Sequence, residues 1–238
     1  MISSTIARLG VRSIFGRWRG AMLLVLPIIL LGMAVLVRSL AGDDYAAAEN
    51  TLYGLGLVVI VPLLALLATS GLLAPEIDDG SISYLLAKPI SRHTIVASKL
   101  VVALGCVVLF GALPMLLAGL IAQPSTPLFG LAFAVGSAIS GAAYCAIFAL
   151  LSVLTRHAVV IGLIYLLIWE SLLGGLLDGV RWLSITRWSA VIVGDIADIS
   201  LVADLPLLYA LLATLVASVA GVWLAGNRLR SFNLTGDE

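Results

Sequence analysis

Six apolar runs dominate this chain, and they limit what it can fold into. They are Ala21–Val37, Thr51–Ala74, Leu100–Ile121, Leu128–Leu154, Val159–Leu177 and Leu205–Ala225. A hydrocarbon layer about 30 Å thick is crossed by about 20 helical residues, so each run is read as one transmembrane helix. Composition agrees: 62% of the residues are hydrophobic and 11% charged, where a soluble domain carries roughly 25% charged residues. The mean hydropathy is +1.18. The chain therefore reads as an all-α, polytopic membrane protein, with residues 1–238 forming one transmembrane domain. The first run is the shortest and follows Arg8, Arg12, Arg17 and Arg19 as a signal peptide would. No small-residue cleavage site follows it, however, and Arg38 comes directly after, so it is kept as a span of the mature protein.

Charge sets the expected orientation. The breaks at Gln123–Pro127 and Thr155–His157 are too short to recross a bilayer, so adjacent spans must be antiparallel. With the N-terminus cytoplasmic, the inner side collects Arg8, Arg12, Arg17, Arg19, Lys88, Arg92, Lys99, Arg156, Arg228 and Arg230. The outer side then holds Arg38, Arg181 and Arg187. This is the positive-inside bias, and it predicts a multi-pass plasma-membrane (inner-membrane) protein with both termini cytoplasmic. Thirteen basic and thirteen acidic residues balance to zero, which argues against nucleic acid as a partner. Cys106 and Cys145 lie inside apolar runs without metal-ligand spacing, so they read as small core residues and no metal site is expected.

One long polar interval, Pro75–Lys99, separates the second and third runs. Within it Asp78 or Asp79 is a plausible N-cap, Ile82, Leu85 and Leu86 fall at i, i+3 and i+4, and Pro89 ends the segment. This predicts a two-turn amphipathic helix over about 79–88. So short a helix is marginal in water unless it packs on something, be it the membrane surface or another protein. The competing reading is a solvated loop whose leucines dip into the interface. Ser91 offers an N-cap to the third span, and Arg92 and Lys99 are expected to snorkel to the headgroups. Residues 5–19, with Ile6, Leu9, Ile14 and Phe15 among the arginines and Trp18 at the boundary, predict a basic interfacial helix on the inner leaflet.

The order Glu76-x-x-x-Gly80-Ser81, then Tyr84-Leu85-Leu86-x-Lys88-Pro89-Ile90-Ser91-Arg92, then Lys99 resembles the cytoplasmic loop between spans two and three in permease subunits of ABC-2 type ATP-binding cassette transporters. The six-span plan, the amphipathic N-terminal helix and the long segment between spans five and six are similar to the same family. The similarity is to small permeases without a nucleotide-binding domain of their own. The resemblance implies that the loop is a coupling helix seated in a groove of a cytoplasmic ATPase. It assigns that contact to Glu76, Asp79, Gly80, Ser81, Tyr84, Leu85, Leu86, Lys88 and Pro89. Ser81 stands where the family often has threonine. It further implies two ATPase subunits that hold ATP and Mg, a second permease copy or sister permease, and mostly export. This chain would bind no cofactor and catalyse no reaction. Consistently, Gly-x-x-x-x-Gly-Lys-Ser/Thr is absent from the sequence. Apolar walls make a hydrophobic or amphipathic cargo the expected one.

A second region stands out between spans five and six, where Leu172-Leu173-Gly174-Gly175-Leu176-Leu177-Asp178-Gly179 interrupts an apolar run. It suggests a broken or re-entrant helix, and the resemblance implies outer helices forming an external gate there. Glu170, Gly174 and Gly175 are the candidates for that gate or for the substrate path. Glu170 is an acid inside an apolar run, which is a functional hypothesis by default. The alternative is that it ends a shorter span and faces water or Arg181. Trp182 and Trp188 suit an interfacial belt. Pro27, Pro62 and Pro114 either kink helices around a cavity or serve packing, and the small residues Gly136, Ser137, Ser140 and Gly141 permit close helix approach. Competing functions are an ion-coupled secondary transporter or channel using Glu170, and a non-transporting membrane scaffold. An intramembrane enzyme fits poorly, because His93 and His157 both sit at the cytoplasmic edge and no Gly-x-Ser-x-Gly occurs.

Overall fold

The computed structural model of the protein describes residues 18–78, 92–155, 157–173, 182–199, 201 and 205–230, and among them every regular element is helical. The helices are α1 (Trp18–Ala41), α2 (Tyr45–Thr51), α3 (Val61–Asp78), α4 (Arg92–Val107), α5 (Leu113–Ala122), α6 (Pro127–Leu154), α7 (Ala158–Ile164), α8 (Ile185–Ala197) and α9 (Leu207–Arg230). Three π-helical stretches, Leu52–Ile60, Val108–Ala112 and Tyr165–Leu173, join α2 to α3, join α4 to α5 and extend α7. Five of the resulting rods are long and apolar enough to cross a membrane: Leu23–Ala41, Tyr45–Leu72, Val96–Ala122, Pro127–Leu154 and Leu207–Arg228. The fifth expected span is represented by a shorter apolar helix, Ala158–Glu170, and the segment Ala158–Leu173 that contains it is the fifth rod in chain order, Leu207–Arg228 being the sixth. The expected interfacial helix at 5–19 lies almost wholly outside the described residues, and the coupling helix at 79–88 entirely so.

Boundaries move where polar caps, rather than apolar runs, start and stop a helix. The second rod begins at Tyr45, six residues before the expected Thr51, because the Asp44 carboxylate accepts from the amides of Ala46 (3.0 Å) and Ala47 (3.4 Å). That is an N-cap, and it draws Glu49 into the helix. Gly42 stands just past α1 with φ +65°, the left-handed conformation in which glycine ends helices. Arg38 pairs with Asp43 across this corner. The Gln123 side-chain amide donates to the Asp43 carbonyl (3.3 Å), so the α1–α2 and α5–α6 turns lie at one end of the bundle.

Two prolines explain two of the π stretches. Proline lacks an N–H and its ring crowds the carbonyl four residues back. Directly before Pro62, Val61 donates to the Gly56 carbonyl. Before Pro114, Leu113 donates to the Val108 carbonyl. These are i→i−5 bonds, so the widened turn keeps the backbone satisfied ahead of the ring. Pro27, Pro62 and Pro114 are all buried, in agreement with a packing role.

Helix α6 is the axis, packing on α9, α3, α8, α5 and α4. Between apolar helices in lipid there is little hydrophobic drive, so close van der Waals approach carries the association. The small residues of α6 provide it. A methyl on Gly141 would lie 2.4 Å from Val107 of α4, and one on Gly136 would lie 2.4 Å from Val193 of α8. Opposite α9, a methyl on Gly221 would meet the Ala146 backbone at 2.9 Å. Ser137 and Ser140 are buried and donate to carbonyls of their own helix, Ala134 and Gly136, both at 2.8 Å. Phe129, Phe133, Tyr144 and Phe148 fill the spaces between. By contrast α1 and α9 expose apolar faces, with Ile28 at 66% and Leu208 at 69% exposure.

Candidate functional site

Two places in the bundle carry polar chemistry, one at each end. At the first, α3 and α4 run side by side and bear between them residues 79–91, which lie outside the described residues. Of the residues assigned to ATPase coupling, Glu76 falls in the last two turns of α3. Asp79, Gly80, Ser81, Tyr84, Leu85, Leu86, Lys88 and Pro89 all lie outside the described set.

The base of this pair is fastened by a buried lysine. Lys99 is 3% exposed and its Nζ donates to the Leu72 carbonyl of α3 at 2.7 Å. The expectation that Lys99 snorkels to the headgroups is therefore corrected. Pro75, one turn further along α3, deprives that part of the helix of a backbone donor. An ammonium carries three donors and suits carbonyls near a helix C-terminus.

At the other end lies Glu170, on the π stretch Tyr165–Leu173. It closes the shorter apolar helix Ala158–Glu170 but is 8% exposed, so it does not face water; Arg181 lies outside the described residues, as do Gly174 and Gly175. Its carboxylate instead accepts from the Ser184 hydroxyl (2.6 Å), the Ile185 amide (3.0 Å), the Thr186 amide (3.4 Å) and the Tyr165 hydroxyl (3.4 Å). Ser184 is also the N-cap of α8, accepting from the Arg187 amide at 3.3 Å. The Thr186 hydroxyl in turn meets Tyr144 of α6 at 2.8 Å. Helix α8 thus starts in a buried place, where its first amides have no intrahelical partner and no water. Each unsatisfied amide there would cost several kcal/mol. Glu170 supplies the acceptors, and a negative group also suits the positive end of the helix dipole.

Neighbouring contacts hold the same region. The Trp182 carbonyl accepts from Trp188 Nε1 and from the Tyr209 hydroxyl of α9, both at 2.8 Å, and the Trp182 and Tyr209 rings meet edge to face at 5.1 Å. Trp188 is 6% exposed. It is a packed fastener of α8, not a member of an interfacial belt; Trp182 is exposed. Tyr144, Phe148, Tyr165 and Trp169 form a chain of ring contacts between α6 and the fifth rod. Asp198, with φ 53°, closes α8 in the left-handed region. Sequence reasoning singled out Glu170 but missed Tyr144, Ser184 and Thr186. A serine three residues ahead of Arg187, at the start of an amphipathic stretch, was the available signal for Ser184 as an N-cap.

Among the described residues no group of His, Cys, Asp and Glu is placed to hold a metal ion, and Cys106 and Cys145 are buried free thiols. An apolar groove of about 280 Å³ lies between α1, α3 and α7, lined by Val25, Leu63, Leu66 and Leu163 among others, and another of about 410 Å³ is lined by Leu150, Leu154, Leu224, Asn227 and Arg228. Residues 21–228 match the family model described as ABC-2 family transporter protein. The chain belongs to that family. No curated protein is significantly similar to it. As an ABC-2 family member it is a multi-pass membrane component of a transporter, associated with an ATP-binding partner.

Proposed function

We propose that this chain is the permease subunit of an ATP-binding cassette exporter, driven by separate cytoplasmic ATPases docking on the 75–92 loop. The observation that carries the reading is the family match over residues 21–228, taken with a sequence that has no nucleotide-binding motif. Glu76, Asp79, Gly80, Ser81, Tyr84, Leu85, Leu86, Lys88 and Pro89 are the residues that would meet the ATPase. The α3–α4 pair supports this role, because Lys99 ties α4 to the Leu72 carbonyl close to where the loop leaves α3. A load applied to the loop would then reach both helices together. Two permeases and two ATPases, with ATP and Mg held by the latter, would alternate between inward- and outward-open arrangements by rigid-body movement. Termini on the cytoplasmic side follow from the charge bias, and the apolar grooves suit a hydrophobic or amphipathic cargo.

The test is recovery of the ATPase. In membranes expressing this chain together with its genomic neighbours, an affinity-tagged wild-type chain recovers an ATPase and shows ATP-dependent transport. Leu85→Pro, which would break the helix expected over 79–88, and Lys88→Glu abolish recovery while the chain stays in the membrane at wild-type amount. Transport by the chain alone along an ion gradient would overturn the reading.

A further inference from the structure

We propose that Glu170 is a positioning residue of the transport cycle: it fastens α8 to the fifth rod, so that α8 follows movements of Ala158–Leu173. The inference rests on the permease reading for its consequence, but not for its geometry. Helix α8 packs against α6, α9 and the Leu52–Ile60 stretch. Among the described residues, the Glu170 side chain reaches across to it from Tyr165–Leu173. Three of the four donors on the Glu170 carboxylate come from the first turn of α8 or its cap, at 2.6 Å, 3.0 Å and 3.4 Å. The fourth, Tyr165, comes from its own rod and stands within the ring chain that seats this rod on α6.

The bonds differ in kind on the two sides of α8. Toward the fifth rod the acceptor is a carboxylate, and such bonds are shorter and about twice as strong as neutral ones. Toward α6 the polar tie is a single hydroxyl pair, Tyr144 with Thr186. The rest of that interface is broad apolar packing without directional bonds, and it includes a Val193 methyl seated over Gly136. The carboxylate is therefore the directional bond through which a movement of the fifth rod reaches α8. The π stretch contributes as well. Tyr165 donates to the carbonyls of both Gly162 and Ile161, so the helix changes pitch at the residue where the tied segment begins.

The experiment measures the tie and its consequence separately. Spin labels at Leu167, exposed on the fifth rod, and Asp195, exposed on α8, report the distance between the two elements by pulsed electron resonance in the chain reconstituted in lipid. Wild type gives one narrow distribution. Glu170→Gln, whose amide nitrogen cannot accept from the amides and hydroxyl it faces, broadens and shifts it. Ser184→Ala, which keeps the carboxylate but loses its shortest bond, broadens it less, and Tyr144→Phe leaves it unchanged. With the partner ATPase bound, Glu170→Gln retains ATP hydrolysis while transport falls about tenfold, the ratio set by one lost charge-assisted hydrogen bond. An unchanged distance distribution in Glu170→Gln overturns the fastening. A changed distribution with undiminished transport overturns the role in the transport cycle, and so does parallel loss of hydrolysis, transport and membrane-inserted protein, which would mark a residue needed only for folding. If even the wild type recruits no ATPase, the permease reading fails, and the distance measurements still decide the tie by themselves.

Discussion

Lys99 and Glu170 show how a single charged residue behaves once the bundle closes around it. In the sequence each is a charge in or beside an apolar run, and a charge there either escapes to water or is met by partners. Both are met. Lys99 reaches a carbonyl 27 positions earlier, and Glu170 reaches donors 14 to 16 positions later. Lys99→Met keeps the length and apolar stem but removes the donors. It is expected to lower the stability of the α3–α4 pair by about 1–3 kcal/mol, the usual cost of leaving a buried polar group without its partner. Thermal denaturation in detergent measures this, with Lys99→Arg retaining more stability than Lys99→Met. An unchanged midpoint would show that the Leu72 carbonyl is not relying on Lys99.

Elements in this chain are set by backbone chemistry at their ends and by glycine along their faces. Pro62 and Pro114 are accommodated by π turns directly ahead of them, and Asp44 and Ser184 start α2 and α8 by accepting amides. The sequence displayed these residues, but it did not display that their effect is to lengthen the second rod and to start a buried helix. The α5–α6 hairpin depends on Gly119 and Gly130. A methyl on Gly119 would stand 2.3 Å from the Gly130 Cα, and one on Gly130 would stand 2.8 Å from the Leu116 carbonyl oxygen. Backbone on both sides has no rotamer with which to yield. Gly130→Ala is expected to destabilise the protein by about 1–3 kcal/mol, as overpacking does, whereas Gly32→Ala, with open space around it, is tolerated. Comparing the amounts of folded protein recovered at rising temperature separates the two.

For the whole molecule the turns fall at two ends. Ala41–Asp44 and Gln123–Thr126 share one end through the Gln123–Asp43 hydrogen bond, and antiparallel rods put Thr155 and His157 at the other. Cysteines introduced at Asp43 and Thr155 are therefore expected to react with an impermeant thiol reagent from opposite sides of the membrane, Asp43→Cys from outside. The native Cys106 and Cys145 are buried and should stay silent. Labelling of both sites from one side would refute the antiparallel arrangement. Labelling of Asp43→Cys from inside would invert the orientation read from the arginines. The exposed apolar faces of α1 and α9 are large enough to meet lipid or another subunit, as a transporter component requires.

The sequence by itself determined the solvent, the helical class and the approximate place of each rod, because hydropathy is a sum along the chain and the bilayer reads that sum. Basic residues between the rods likewise predict an orientation without any contact being known. What the tertiary structure alone decided is lateral: that Lys99 turns inward, that Trp188 packs α8, and that Glu170 joins the fifth rod to the start of α8. Those outcomes depend on which donor stands opposite which acceptor across a helix interface. No local sum carries that information, since a buried charge and a functional one have the same signature until their partners are placed.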